Sequence, residues 1–105
     1  MSDLIEVPNL ATLNDVLESN DAVLVEFGAA WCGPCRQFLP HFEKFADGNN
    51  EVACVKVDIE TDDFALKYGF SSVPQVWLFK NGEKAAEVRA RTAPLLRKEI
   101  AQLLS

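Results

Sequence analysis

Short apolar runs along the chain predict the strands of a sheet. The run at residues 22–27 is continuous rather than alternating, as expected for a central strand that is covered on both faces. Residues 4–7 and 52–59 predict two further strands. Residues 75–80 and 83–89 flank Asn81-Gly82, a dipeptide that favours the tight turn of a β-hairpin. The pattern therefore predicts five strands.

Between these strands the apolar positions recur at the spacing of amphipathic helices. Asn9 is a candidate N-cap for a first helix. A long second helix begins at Cys32 or Pro34 and ends near residues 47–48. Pro40 falls inside this helix and is expected to kink it.

Two more helices complete the pattern. Residues 61–68 predict a short third helix, and Thr92 is a candidate cap for the last one. The resulting order, β-α-β-α-β-α-β-β-α, predicts a mixed sheet between helices. We therefore expect one α/β domain over residues 1–105.

Composition narrows the possible partners and the compartment. The formal net charge of -6 over 105 residues argues against nucleic acid or an anionic membrane as the main partner. No stretch approaches the roughly 18 apolar residues of a membrane span. The start, Met1-Ser2-Asp3, lacks the basic and apolar regions of a signal peptide. Together with only three cysteines, this favours a reducing, cytoplasmic compartment, in which a disulfide is usually transient and catalytic.

The pair Cys32 and Cys35 lies where the central strand runs into the second helix. Two thiols separated by two residues can close into a disulfide, and the intervening Gly33 and Pro34 favour a tight turn. This context is typical of a redox-active dithiol. The alternatives are a structural disulfide or half of a zinc site.

A zinc site is the less favoured alternative because it usually needs four ligands. Besides the pair, the chain offers Cys54 and His41, and His41 is expected on a different helix face from Cys35. Cys54 lies in an apolar strand and is interpreted as a small buried hydrophobe, with a regulatory thiol as the weaker option. We expect no bound metal and no organic cofactor.

The position of each thiol predicts its role in thiol-disulfide exchange, which proceeds through a mixed disulfide. Cys32 stands at the helix N-terminus, where unpaired N–H groups and the macrodipole stabilise an anion, so it is predicted to be the attacking thiol. Cys35, one turn further in and predicted to be less exposed, would resolve the mixed disulfide.

The chain resembles the thioredoxin family along its full length. The resemblance rests on the Val-Glu-Phe strand, the motif Trp31-Cys32-Gly33-Pro34-Cys35, Pro40, Lys56, Ser72-Val73-Pro74 and Phe79-Lys80-Asn81-Gly82. It implies the thioredoxin fold, a central mixed sheet of about five strands flanked by four helices. It also implies a cytosolic protein-disulfide reductase, an oxidoreductase with a redox-active disulfide that serves electron transport and cell redox homeostasis.

Glu26 and Lys56 are charged residues within apolar strand runs. A buried, unpaired carboxylate is costly, so Glu26 should find a partner or have a raised pKa; the alternative is an edge position in solvent. Thioredoxins commonly have an aspartate here, thought to exchange a proton with the resolving cysteine. Lys56 matches the family lysine beside this carboxylate. Its alternative is a packed stem with the ammonium in solvent.

Val73-Pro74 would be read as trans from sequence alone, because only about 5–6% of X-Pro bonds in folded proteins are cis. The resemblance implies a cis-proline opposite the cysteine pair, where the backbone of Val73 pairs with an extended substrate segment. It also implies a substrate-binding surface that includes Gly33, Pro34 and a partly exposed Trp31. The alternative for Trp31 is packing against the strand end.

Two positions depart from the family pattern. Gly28 stands where thioredoxins commonly have tryptophan, and the sequence leaves open whether Trp77 fills the gap. Arg89 stands where the family usually has glycine. If this loop borders the substrate groove, Arg89 adds a cation beside the thiols that would narrow the choice of targets, favour acidic targets or help to stabilise the Cys32 thiolate. The alternative is a surface arginine that points to solvent.

The resemblance further implies partners. An NADPH-dependent thioredoxin reductase would donate electrons, oxidised proteins such as ribonucleotide reductase or peroxiredoxins would be targets, and a monomer is expected. Two rival functions stay open. One is an oxidant or isomerase of secretory compartments, disfavoured by Gly33-Pro34, since such proteins more often carry histidine there. The other is a non-redox binding subunit of a larger complex.

Overall fold

The computed structural model describes residues 3–105. The strands are β1 (Leu4–Val7), β2 (Ala22–Gly28), β3 (Ala53–Asp58), β4 (Gln75–Lys80) and β5 (Glu83–Glu87). The helices are α1 (Leu10–Ser19), α2 (Gly33–Asp47), α3 (Phe64–Tyr68) and α4 (Ala93–Leu104). None of the helices in this part of the chain has the length and hydropathy needed to cross a membrane.

The strands form one mixed sheet in the order β1-β3-β2-β4-β5. β1, β3 and β2 run parallel, whereas β4 is antiparallel to β2 and β5 is antiparallel to β4. β2 therefore lies at the centre of the sheet, with a neighbour on each side. This architecture confirms the predicted fold class.

Helices cover both faces of the sheet. Val23, Val25 and Phe27 of β2 pack into the core beneath α1 and α3, whereas Leu24 packs into the core beneath α2 and α4. Because side chains alternate along a strand, the remaining even-numbered positions of β2 face α2. This alternation directs Glu26 to the same face as the second helix.

The third helix is shorter than its sequence pattern predicts. It begins at Phe64 rather than at residue 61, because carboxylates hold the preceding backbone in turns. Asp58 accepts a hydrogen bond from the N–H of Glu60 at 2.9 Å, and Asp62 accepts one from the N–H of Asp63 at 2.8 Å. Short acidic side chains often divert backbone donors from helical pairing in this way.

The last strand and the last helix also differ in detail from the prediction. β5 ends at Glu87 rather than at residue 89, because the carboxylate of Glu99 accepts hydrogen bonds from the N–H groups of Arg89 and Ala90 at 2.9–3.3 Å. Thr92 occupies the N-cap position of α4, but its side chain makes no capping hydrogen bond. The expected role of Thr92 as a side-chain cap is therefore wrong.

Candidate active site

Cys32 and Cys35 are bonded to each other at the junction of β2 and α2, with their Cα atoms 5.3 Å apart. Cys32 is the N-cap residue of α2, and its sulfur accepts a hydrogen bond from the N–H of Cys35 at 3.2 Å. The N–H of Cys32 donates to the carbonyl of Ala29 at 3.1 Å, which closes the loop between strand and helix. The Cys32 sulfur thus lies at the helix N-terminus, where backbone N–H groups have no partner within the helix, and this arrangement stabilises an anion.

The two cysteines are equally buried, each 5% exposed, so the expectation that Cys35 would be less exposed is wrong. Both belong to a small apolar cluster with Ala29, against which Ile59 and Val73 pack. In the disulfide state the cluster therefore buries most of the surface of both cysteine residues. Beside it, Trp31 is 63% exposed and presents most of its ring to solvent.

Pro74 and the cysteine motif border the same surface groove. The Val73-Pro74 peptide bond is cis, and both residues are half-buried. The groove has a volume of about 400 Å³ and is lined by Pro34, Gln37, Phe38, His41, Pro74 and Arg91. The structure thus brings the predicted binding residues Pro34 and Pro74 together.

Arg91, rather than Arg89, is the arginine that lines this groove. Its guanidinium lies 5.5 Å from the Phe38 ring centroid and donates hydrogen bonds to the carbonyls of Val88 and Ala90 at 2.8 and 3.0 Å. Arg89 is exposed. Sequence reasoning missed Arg91, because Arg89-Ala90-Arg91 offers two similar residues and only the bend of the loop separates them.

Glu26 is a buried carboxyl at the centre of the sheet, only 3% exposed. The alternative of a solvent-exposed edge position is therefore wrong, since β2 lies between β3 and β4. Its Oε2 atom has no hydrogen-bond partner among the residues that the structure describes. Burial raises the pKa of Glu26 to about 7, and the positive charges of Lys56 and Arg91 oppose that rise.

Lys56 stands between two carboxylates in the register of the sheet. It is the cross-strand partner of Glu26 on β2 and of Glu6 on β1. Its ammonium lies 3.8 Å from Glu6 Oε1, and its side chain is 37% exposed. The lysine therefore neighbours Glu26, as the resemblance implied, while its charged end reaches outward to Glu6.

A cavity of about 530 Å³ lies behind the cysteine pair, at the gap that the sequence indicated at Gly28. Gly28, Glu26, Cys35 and Lys56 contribute to its lining. Trp77 does not fill this space, because it belongs to the core on the opposite face of the sheet. No sequence signal beyond the glycine itself indicated the cavity.

Cys54 and His41, the other residues considered as metal ligands, do not combine with the cysteine pair into a metal site. Cys54 is a free, buried thiol, and burial, with a contribution from Asp3, raises its pKa to about 12. The Nδ1 atom of His41 accepts a hydrogen bond from the N–H of Ala93 at 3.4 Å. Within residues 3–105, no three His, Cys, Asp or Glu side chains are placed to hold a metal ion.

Comparison with known proteins gives consistent matches. The family model described as Thioredoxin matches residues 6–102. The chain is similar to Thioredoxin-2 of Pyricularia oryzae, with 40% identity over 84% of this chain and 52% of that protein, so it spans about half the length of that relative. It is also similar to the thioredoxin of Mycoplasma genitalium, with 37% identity over 73% of this chain and 76% of that protein.

The fold also matches solved structures. The structure of a mutant thioredoxin from Halobacterium salinarum aligns with a TM-score of 0.86 and 33% identity, covering 99% of this chain and 94% of that one. A thioredoxin of Malassezia sympodialis aligns with the same TM-score at 28% identity, covering 100% of this chain and 94% of that one.

Proposed function

The chain belongs to the thioredoxin family, and on that basis we propose that it is a protein-disulfide reductase that cycles between dithiol and disulfide. The observation that carries the proposal is the bonded pair of Cys32 and Cys35 at the N-terminus of α2. Family membership and this pair together support thiol-disulfide oxidoreductase chemistry.

In the first step, the thiolate of Cys32 attacks one sulfur of a target disulfide. A bond forms between that sulfur and Cys32, the target disulfide breaks, and the second target sulfur leaves as a thiolate that takes up a proton. The hydrogen bond from the N–H of Cys35, at 3.2 Å in the disulfide state, supports a negative charge on the Cys32 sulfur. The helix dipole acts in the same direction.

In the second step, Cys35 loses its proton and attacks the Cys32 sulfur of the mixed disulfide. The Cys32–Cys35 bond forms, and the bond to the target breaks, which releases the target as a dithiol after protonation. Two electrons pass from the protein to the target. The short separation of the two Cα atoms, 5.3 Å, allows this step without large backbone movement.

We assign Glu26 as the group that takes the proton from Cys35. Both residues line the cavity behind the motif, and the pKa of Glu26 is raised to about 7, a value suited to proton exchange near neutral pH. Lys56 limits the rise by its charge and so keeps part of the carboxyl population ionised. This arrangement supports a catalytic role for Glu26 and a positioning role for Lys56.

The proposed target surface surrounds the motif on the groove side. Trp31 is strongly exposed, Pro34 is exposed, and Gly33, Val73 and Pro74 are half-buried beside the disulfide. An extended target segment would pair with the backbone of Val73 in the manner of a short added strand. Arg91 contributes a cation to this groove and so takes the role that the sequence suggested for Arg89.

The partners and the compartment are also part of the proposal. Oxidised proteins are the targets, an NADPH-dependent thioredoxin reductase restores the dithiol, and the protein works as a cytoplasmic monomer. The formal net charge of -6 disfavours nucleic acid and anionic membranes as competing partners.

Insulin-disulfide reduction tests the proposed function. We expect Cys32→Ser to abolish turnover and Cys35→Ser to accumulate a mixed disulfide with the target, because the first variant lacks the attacking thiol and the second lacks the resolving one. Cys54→Ser is the matched control and should retain wild-type turnover, since this thiol is buried away from the pair. A double variant, Cys32→Ser with Cys35→Ser, that no longer reduces insulin but keeps its partner and its cellular function would instead indicate a non-redox binding subunit.

A further inference from the structure

The backbone at Gly28 leaves a space that a side chain would fill. A Cβ atom added there would collide with Glu26 Oε2 and would lie 3.1 Å from Glu26 Cδ and 3.3 Å from Cys35 Sγ. The φ angle of Gly28 lies outside the left-handed region, so the backbone itself does not require glycine. Glycine at position 28 therefore provides space for neighbouring atoms rather than an unusual backbone conformation.

That space is occupied in part by the Glu26 carboxyl. Glu26 and Gly28 lie two residues apart on β2 and so face the same side of the sheet. The carboxyl end of Glu26 and the sulfur of Cys35 both border the point at which a side chain of residue 28 would begin. A side chain at 28 and a glutamate at 26 thus compete for one volume beside the resolving thiol.

We propose that Gly28 is a positioning residue: its missing side chain holds open the space in which the Glu26 carboxyl lies beside Cys35. Glu26 and Gly28 are then a matched pair rather than two independent departures from the family pattern. The inference rests on the proposed role of Glu26 in proton exchange and identifies the residue that makes this role possible.

The cavity behind the motif determines what a larger residue 28 would do. The atoms that a Cβ would meet most closely belong to the flexible end of Glu26, so the carboxyl can turn away while the strand stays folded. The Cys35 sulfur, at 3.3 Å, has to shift by only a few tenths of an ångström. The cavity of about 530 Å³ gives it room on the Lys56 side. There the carboxyl would meet an ammonium and solvent, and it would lose its position beside the sulfur.

Charged groups from several elements face this carboxyl. Lys56 on β3 and Arg91 in the loop before α4 act on Glu26 directly, and Cys35 borders it from α2. The other charged residues of the cavity lining are Glu6, Arg36 and Asp58. All of these charged residues stay unchanged when residue 28 is substituted, so a shift in the titration of Glu26 reports on residue 28 alone.

A double-mutant cycle tests the pairing with Gly28→Ala, Glu26→Asp and the combined variant. Carbon-13 NMR of the carboxyl groups follows the titration of residue 26 in the oxidised protein, and insulin reduction is measured between pH 5 and 9. Gly48→Ala is the matched control, because a Cβ there meets only ordinary contacts at 3.7 Å or more and φ is -101°.

We expect Gly28→Ala to lower the Glu26 titration midpoint by about one pH unit and to slow insulin reduction about tenfold near neutral pH. In the Glu26→Asp background, the same substitution should change the rate by less than about twofold, because the shorter side chain has vacated the contested space. Gly48→Ala should change neither quantity.

An unchanged titration and rate in Gly28→Ala would overturn the proposal, as would an equal loss in the Glu26→Asp background. If Gly28→Ala fails to fold, the combined variant must fold, and its failure would also count against the pairing. A shifted titration with an unchanged rate would support the positioning by Gly28 while refuting the proposed proton transfer through Glu26.

Discussion

Glu26 links the stability of the protein to pH. The pKa of its carboxyl is raised from 4.5 to about 7 because burial penalises the charged form. A raised pKa means that the folded state binds more protons than the unfolded state between these values, so stability falls as pH rises from about 4.5 to about 7. Below about pH 4.5 the carboxyl is neutral in both states, and its burial does not reduce stability through charge. Above about pH 7 the full free-energy cost of burying the charged carboxylate applies.

We therefore expect Glu26→Gln to remove this pH dependence. The shift corresponds to about 3 kcal/mol of unfolding free energy, at roughly 1.4 kcal/mol per pKa unit. Urea denaturation of the oxidised protein at about pH 4.5 and about pH 8 measures it, with Glu6→Gln as the control because that carboxyl is exposed. The same pH dependence in wild type and Glu26→Gln would show that the carboxyl is not buried as described.

Arg91 gives a second prediction at the scale of the residue. Its guanidinium lines the groove beside Pro34 and Pro74, whereas Arg89 is exposed. We expect Arg91→Ala to raise the KM for acidic target peptides about threefold to tenfold, because one cation near the bound segment is lost. Arg89→Ala is the matched control and should change KM by less than about twofold. A larger effect of Arg89→Ala would contradict this assignment.

The sequence predicted the chemistry of single residues better than their positions. The burial of Glu26 followed from the apolar residues around it, because a central strand carries little polar surface. The choice of Arg91 over Arg89, and the space at Gly28, depend on how a loop bends and how separate elements pack. Such contacts join residues far apart in sequence and leave no local pattern.

At the scale of the element, helix caps distinguish two positions that look alike in sequence. Asn9 caps α1, its Oδ1 atom accepting a hydrogen bond from the N–H of Thr12 at 2.8 Å. Thr92 holds the corresponding position before α4 and makes no such bond. A side chain with a capping preference thus stands at both sites, but only Asn9 satisfies a free helix donor through its side chain.

We expect Asn9→Ala to lower the free energy of unfolding by about 1 kcal/mol, because an N–H at the start of α1 loses its protein partner. Thr92→Ala should cost less than about 0.5 kcal/mol. Urea denaturation of both variants at one pH makes the comparison. Equal losses would mean that the cap of α1 contributes nothing beyond an ordinary substitution.

Element boundaries were predictable where apolar periodicity determines them and unpredictable where side chains bind backbone. The hairpin turn between β4 and β5 lies where expected, because Asn81 and Gly82 both adopt the positive φ angles that the turn requires. α3 starts late and β5 ends early because carboxylates of Asp58, Asp62 and Glu99 accept hydrogen bonds from nearby N–H groups. These acids resemble any other surface acids in the sequence.

At the scale of the whole molecule, the topology concentrates the chemistry at one end of the central strand. β2 carries Glu26 within the sheet and then leads through the short loop after Gly28 to Cys32 at the start of α2. The chain later returns to place Pro74 against the same groove as Pro34. The order of elements was predictable from sequence patterns, whereas the return of Pro74 to the motif came only from the family resemblance.

The central claim is that the start of α2 holds the Cys32 sulfur as an anion, and the pH dependence of its alkylation tests this most directly. Reduced Cys35→Ser protein is treated with iodoacetamide between about pH 4 and pH 10, and modification of Cys32 is followed by mass spectrometry. We predict that the rate is half-maximal at a pH at least about one unit below the pKa of free cysteine, which is about 8.5. A rate that becomes half-maximal only at or above the pKa of free cysteine would contradict the account.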